Sequence, residues 1–115
     1  MHQVFNNILL NAIQAMGEYG EINIKIENRP KETGNSIGFK DFNYVKISIT
    51  DQGRGISQDI IQKIFDPYFT TNAKGTGLGL AITHKIIRDH GGRIKVETEF
   101  GKGTTFHIFL PEDIN

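Results

Sequence analysis

Two glycine-rich segments of different chemistry dominate the sequence. Residues 51–56 read Asp-Gln-Gly-Arg-Gly-Ile and begin with a carboxylate, whereas residues 75–80 read Gly-Thr-Gly-Leu-Gly-Leu and lead into a helical pattern. Glycine backbone N–H groups at the positive end of a helix suit phosphate oxygens. The Asp51 carboxylate would repel phosphate, but it would accept a hydrogen bond from a purine amino group. Together the two segments predict a nucleotide pocket, with the base at Asp51 and the phosphates near 75–79.

A pair of asparagines precedes both glycine segments on a predicted helix. Apolar residues recur at helical spacing over 4–16, and Gly17 and Gly20 end the pattern. Asn7 and Asn11 are four residues apart, so they share one face of this helix. Taken alone, the pair is equally consistent with ordinary polar positions of a helix.

The rest of the pattern predicts a sheet covered by helices. Strands are predicted over 22–26, 45–49, 94–98 and 106–110, a short helix begun by Ser57 as its N-cap, and a longer helix over 78–90. Ile22, Ile24 and Ile26 should form a half-buried strand, Asp51 should end the second strand, and a turn over 100–103 should join the last two strands. These elements predict an α+β fold, a two-layer sandwich with a mixed, mostly antiparallel sheet and helices on one face.

The composition limits the class of protein. The 115 residues suffice for one domain with its own core, and thirteen basic and thirteen acidic side chains cancel. A balanced charge gives no electrostatic case for binding nucleic acid or an anionic membrane. The sequence contains no cysteine, which fits a cytosolic protein, and its apolar runs are too short to span a bilayer.

In this order, the motifs resemble those of the ATP-binding catalytic domain of bacterial sensor histidine kinases. That domain belongs to the wider GHKL superfamily of gyrase, heat-shock chaperone and mismatch-repair ATPases and has the Bergerat fold. The matching segments are 7–12 (N box), 51–56 (first glycine box), 64–71 (F box), 75–80 (second glycine box) and 101–106 (the Gly-Thr motif). The resemblance runs from Gln3 to about Pro111. A single glycine pattern would be weak evidence for the family, whereas five motifs in the family's order make a chance match improbable.

The resemblance implies a role for each matching residue. Asn7 and Asn11 would be catalytic, with Asn11 the magnesium ligand, and Asp51 would accept from the adenine amino group. Thr104, rather than Thr105, would share the water that helps Asp51. The implied ATP-binding set is Asn7, Asn11, Asp51, Gly53, Gly55, Ile56, Lys74, Gly75, Thr76, Gly77, Leu78, Gly79, Leu80 and Thr104, with Phe106 as a further apolar contact. Gln14 and Ala15 stand where many members carry a basic residue, which shifts the phosphate contact to Lys74.

The resemblance also implies an activity and partners. Residues 1–115 would form a single catalytic domain, truncated at its N-terminus, that holds Mg-ATP and transfers the γ-phosphate to a histidine on a separate dimerisation and phosphoacceptor domain. That histidine would then pass the group to the receiver domain of a response regulator. The domain would be cytoplasmic and contact neither nucleic acid nor membrane.

Two alternatives are a GHKL-type ATPase and a regulatory module that binds nucleotide without catalysis. Asn7 stands where the superfamily's ATPases carry a glutamate that deprotonates water, and hydrolysis needs that help because water is a poor nucleophile. An imidazole, with an ordinary pKa of about 6.5, needs no base near neutrality. Asn7 therefore favours a histidine acceptor, while Asn11, Asp51 and the glycines argue against a decayed site.

Overall fold

In the residues that the structure describes, the fold is a four-stranded sheet with helices on one face. The computed structural model describes residues 2–16, 20–30, 43–66 and 79–111. Its elements are α1 (His2–Met16), β1 (Asn23–Arg29), β2 (Tyr44–Asp51), a short 3₁₀ helix (Ile61–Lys63), α2 (Gly79–Asp89), β3 (Arg93–Glu99) and β4 (Gly103–Pro111). The strands lie in the order β1-β2-β4-β3, and each neighbouring pair is antiparallel. The predicted α+β sandwich is confirmed.

Apolar rows run across the sheet on the face toward the helices. Two successive rows, each with one residue from β2, β4 and β3, are Ile47–Ile108–Ile94 and Ile49–Phe106–Val96. Residues two apart in a strand share a face, so the next row on this side is Asp51–Thr104–Thr98. The apolar core therefore ends at a polar row at one end of the sheet.

Both helices place their apolar sides on these rows. The α1 helix packs on β2 and on α2, and α2 packs on β3. Val4 and Ile8 of α1 and Ile87 of α2 are fully buried in the core that contains Ile49 and Phe106. In the part of the chain that the structure describes, neither helix is long and apolar enough to cross a membrane.

The prediction of a half-buried strand holds at Ile22, which is half-buried and packs against the core. It is wrong at Ile24 and Ile26. These two residues are 55% and 68% exposed, respectively. The strand that carries them, β1, lies at the edge of the described sheet, and α1 packs on its neighbour β2. An alternating pattern predicts which residues share a face, but burial requires an element to cover that face.

Two local predictions have different outcomes. The turn after Glu99 is confirmed, because β3 ends there and β4 begins at Gly103. The predicted helix with Ser57 as its N-cap is a 3₁₀ turn instead, and its N-cap is Ile60, which makes no side-chain capping hydrogen bond. The Ser57 carbonyl oxygen accepts from the Ile60 N–H at 3.2 Å, which closes a single turn. A run this short gives too few hydrogen bonds to offset helix nucleation.

We predict that Ile8→Ala lowers the free energy of unfolding by about 2–5 kcal/mol, because it leaves a cavity against the sheet. The matched control is Leu10→Ala, since Leu10 lies on the same helix but is 53% exposed. That variant should change the free energy by no more than about 0.5 kcal/mol. Urea denaturation followed by circular dichroism measures both, and equal losses would contradict the orientation of α1.

Candidate functional site

The carboxylate of Asp51 is buried at the end of β2. The residue is 4% exposed, and its Oδ1 accepts a hydrogen bond from the Gly53 N–H at 2.8 Å. This bond turns the chain sharply after the strand and uses one acceptor position of the carboxylate. An ionised carboxylate offers about four such positions, so it retains capacity for a ligand donor.

Thr104 lies beside Asp51, whereas Thr105 points to the other face of the sheet. Thr104 is opposite Asp51 in the β2–β4 register and is 7% exposed. The Thr105 hydroxyl is 2.9 Å from that of Thr50, its own partner in the register. The structure therefore brings together Asp51 and Thr104, as the resemblance implies for the base pocket.

Thr98 completes this polar row, and it is a residue that sequence reasoning missed. Its Oγ1 accepts the Ile56 N–H at 2.8 Å, donates to the Gly103 carbonyl at 3.0 Å and lies 2.9 Å from the Thr104 Oγ1. A strand pattern marks Thr98 only as an inward position. Extending the register back from the turn at 100–102 would have placed it directly across from Thr104.

Two glycines let the first glycine segment pack against the β3–β4 hairpin. Gly55 has a φ of +72°, and a Cβ there would overlap the Glu99 carbonyl oxygen. Gly103 has a φ of +143°, and a Cβ there would overlap the Asp51 carbonyl oxygen. The Gly101 N–H also donates to the Arg54 carbonyl at 2.6 Å. Glycine is required at 55 and 103 by both backbone conformation and close approach.

Asn7 ties α1 to the start of α2. Its Nδ2 donates to the Gly79 carbonyl oxygen at 3.2 Å, and the buried Thr83 hydroxyl donates to the same oxygen at 2.8 Å. Asn11 is half-buried one turn further along the same side of α1. The structure therefore places Asn7 against Gly79, which is both the last glycine of the second glycine segment and the first residue of α2.

Of the remaining predicted ATP contacts, some are packed against the core and others lie in segments that the structure does not describe. Ile56 and Leu80 are half-buried and pack against the core, and Phe106 is part of that core. Lys74, Gly75, Thr76, Gly77 and Leu78 lie outside the described residues, as do 67–71 of the F box and the side chains of Gln14 and Ala15. The phosphate side of the pocket therefore stays a prediction, and of the second glycine segment the structure describes only Gly79 and Leu80.

Three histidines have packing or hydrogen-bonding partners. The His84 ring lies 5.2 Å from that of Phe65, centroid to centroid, and the His90 Nδ1 lies 2.8 Å from the Ile86 carbonyl oxygen. The His107 Nδ1 lies 2.8 Å from the Ser48 hydroxyl on the face of the sheet away from the helices. These contacts agree with a structural role for each ring.

Comparison with known proteins identifies relatives of this arrangement. A family model described as histidine kinase-, DNA gyrase B-, and HSP90-like ATPase matches residues 1–114. The sensor histidine kinase ZraS of Escherichia coli K12 is 48% identical over 112 residues, which are 97% of this chain but 22% of that protein. The chain thus spans about a fifth of the length of this curated relative.

Solved structures share the fold. The nucleotide-free catalytic domain of histidine kinase ThkA is 39% identical, with a TM-score of 0.76, and the match covers 96% of this chain and 64% of that one. Full-length ShkA in complex with AMPPNP is 28% identical, also with a TM-score of 0.76, over 95% of this chain and 20% of that one.

We predict that Gly55→Ala destabilises the domain more than Gly101→Ala. Both glycines have positive φ, but a Cβ at Gly101 would meet no atom within 4 Å. Gly101→Ala should therefore cost only the backbone penalty of about 1–2 kcal/mol, whereas Gly55→Ala adds the overlap with Glu99. Urea denaturation compares the two variants, and similar losses would contradict the packing of the glycine segment on the hairpin.

Proposed function

Because this chain belongs to the family of histidine kinase-, DNA gyrase B- and HSP90-like ATPases, we propose that it is the ATP-binding catalytic domain of a sensor histidine kinase. In this role it holds Mg-ATP and directs the γ-phosphate to a histidine on a separate dimerisation and phosphoacceptor domain. The observation that carries the proposal is the buried Asp51 carboxylate, held by Gly53 and placed beside Thr104.

The base end of the pocket suits adenine. Asp51 and Thr104 lie on one face of the sheet, and the carboxylate oxygens can only accept hydrogen bonds. The exocyclic amino group of adenine donates, whereas guanine has a carbonyl oxygen at the same position. The pocket should therefore bind ATP and ADP and discriminate against GTP.

Asn11 fits the magnesium ligand that the resemblance implies. Asn11 carries a neutral amide oxygen and is half-buried on α1, one turn from the Asn7 amide that contacts Gly79. Magnesium prefers oxygen ligands, keeps several waters and is commonly held by few protein groups together with substrate phosphates. When bound, the ion would neutralise charge on those phosphates, while Asn11 fixes its place on the helix.

The side chain at position 7 distinguishes a kinase site from an ATPase site. A carboxamide has no basic site that could take a proton from water, and the Nδ2 of Asn7 is already used in holding Gly79. Hydrolysis would therefore lack a general base at this position. A histidine supplied by another domain brings its own lone pair near neutral pH, so the site is suited to that nucleophile.

The proposal includes the partners and location that this reaction requires. We take residues 1–115 as one catalytic domain, with the acceptor histidine on another domain of the same kinase. The phosphoryl group then passes from that histidine to an aspartate of a response-regulator receiver domain. We place the catalytic domain in the cytoplasm, whether or not the full-length kinase is anchored in a membrane.

The phosphoryl-transfer assay incubates the chain with γ-labelled ATP and magnesium, with and without a separately purified phosphoacceptor domain. That acceptor domain comes from the full-length kinase to which this catalytic domain belongs. We expect acid-labile label on the acceptor domain only, and very slow release of phosphate from the chain alone. Phosphoryl transfer depends mostly on positioning and electrostatics, so a site without a placed nucleophile leaves ATP largely intact.

An Asn11→Ala variant provides the matched test of the metal assignment. It should lose more transfer than ADP affinity, because the ion acts mainly on charge that develops during reaction. Rapid ATP turnover by the unaltered chain alone would instead support the ATPase alternative. Unchanged transfer by the variant at saturating magnesium would place the ion elsewhere.

We predict that Asp51→Asn weakens ADP binding roughly 10- to 150-fold, since a charged acceptor is lost. The amide oxygen of the new side chain can still accept the Gly53 hydrogen bond, so the fold should survive. The other carboxylate oxygen is replaced by an NH2 group, which donates instead of accepting. Asp59→Asn is the control: Asp59 is exposed, and this substitution makes the same carboxylate-to-amide change outside the pocket. Calorimetry that shows equal ADP affinity for both variants would remove Asp51 from the base pocket.

A further inference from the structure

We propose that Thr98 is a positioning residue that sets base selectivity by fixing the direction of the Thr104 hydroxyl. This inference rests on the proposed function and extends it to a residue that does not touch the base. Thr98 and Asp51 flank Thr104 on neighbouring strands, in one row on the face toward the helices. Thr98 therefore acts on the pocket through Thr104.

The direction of the hydroxyl follows from a count of protons. A threonine hydroxyl has one donor hydrogen and two acceptor positions. At Thr98, the Ile56 N–H fills one acceptor position, and the Gly103 carbonyl oxygen, which can only accept, takes the hydrogen. The one remaining position of Thr98 is an acceptor, and the Thr104 oxygen lies 2.9 Å away.

Thr104 must therefore donate its hydrogen to Thr98. The opposite assignment would leave the Thr98 and Gly103 oxygens 3.0 Å apart with no hydrogen between them. With its hydrogen directed toward β3, Thr104 has only acceptor positions left for a ligand. Because Asp51 also accepts, the two residues form an acceptor-only surface, with their Cβ atoms about 4.5–5.5 Å apart as register partners.

An acceptor-only surface distinguishes purines by the group at C6. The amino group of adenine donates, directly or through one water, and matches both residues. The C6 oxygen of hypoxanthine accepts, so it would face two acceptors and leave a buried polar group without a partner. Without the Thr98 oxygen, the Thr104 hydroxyl can rotate and donate to that C6 oxygen, which lowers the discrimination.

The test measures the affinities for ADP and inosine diphosphate by calorimetry in the presence of magnesium. We expect the unaltered chain to prefer ADP by roughly 10- to 150-fold, the equivalent of a hydrogen bond to a charged acceptor. Thr98→Val should lower this ratio by roughly 2- to 12-fold, the equivalent of one neutral hydrogen bond. Thr98→Ser keeps the hydroxyl and should restore the ratio. A general loss of structure would weaken the binding of both nucleotides alike, so it would not by itself change the ratio of their affinities.

Thr105→Val is the matched control, because Thr105 is the next residue of β4 but bonds to Thr50 on the other face. It should leave the ratio unchanged. In a Thr104→Val background, Thr98→Val should change the ratio no further, since Thr98 acts through Thr104. If Thr98→Val fails to fold, Thr98→Cys tests the same loss, because a thiol is a weak donor and acceptor.

The outcomes separate this inference from the proposed function. A preference for ADP that persists unchanged in Thr98→Val or Thr98→Cys would overturn the role of Thr98 and leave the nucleotide site intact. A fall in the ratio that occurs equally in Thr105→Val would also overturn it. No binding of either diphosphate by the unaltered chain would overturn the proposed function, and this inference with it.

Discussion

The register that joins β2, β4 and β3 is the constraint on which the candidate site depends. Side chains alternate between the two faces of a strand, so a slip of one residue in β4 would replace Thr104 with Thr105 beside Asp51. The apolar row Ile49–Phe106–Val96 opposes such a slip, because it would expose Phe106 and bury polar neighbours. The burial that stabilises the sheet therefore also sets the positions of the polar row, one step further along the strands.

Close backbone packing carries this order from the sheet into the loops. The segment after Asp51 lies against the β3–β4 hairpin, with Gly55 at the Glu99 carbonyl and Gly103 at the Asp51 carbonyl. The Gly101 N–H adds a hydrogen bond to the Arg54 carbonyl at 2.6 Å. Loops usually vary more in position than the strands they connect, and here the absence of side chains allows direct backbone contact. The Gly-Thr motif thus supports the first glycine segment as well as supplying Thr104.

Local sequence patterns predicted the helices and strands, whereas the burial of particular residues and the contacts between distant segments depend on how the strands pair, which local spacing does not show. Helical and alternating spacing predicted α1, α2 and the four strands, and Asp51 was correctly placed at a strand end. The exposure of Ile26 depends on which strand lies at the edge, which no local pattern records. The contacts of Asn7 with Gly79 and of Thr98 with Ile56 join residues far apart in the chain. Motif resemblance supplied Asn7 and Thr104, but it contains no information on Thr98, since the contacts of Thr98 arise only once the hairpin has formed.

The asparagine at position 7 connects the architecture to the proposed chemistry. A glutamate there would carry a negative charge and no donor, so it could not replace the hydrogen bond from Nδ2 to the Gly79 carbonyl. Thr83 already donates to that oxygen, and a carboxylate beside it would meet an acceptor instead of making a bond. The group that holds α1 to the start of α2 is thus chemically unable to be the base that activates water. A domain built in this way can position ATP firmly while leaving the attack to a nucleophile from another domain, which is the division of work that we propose.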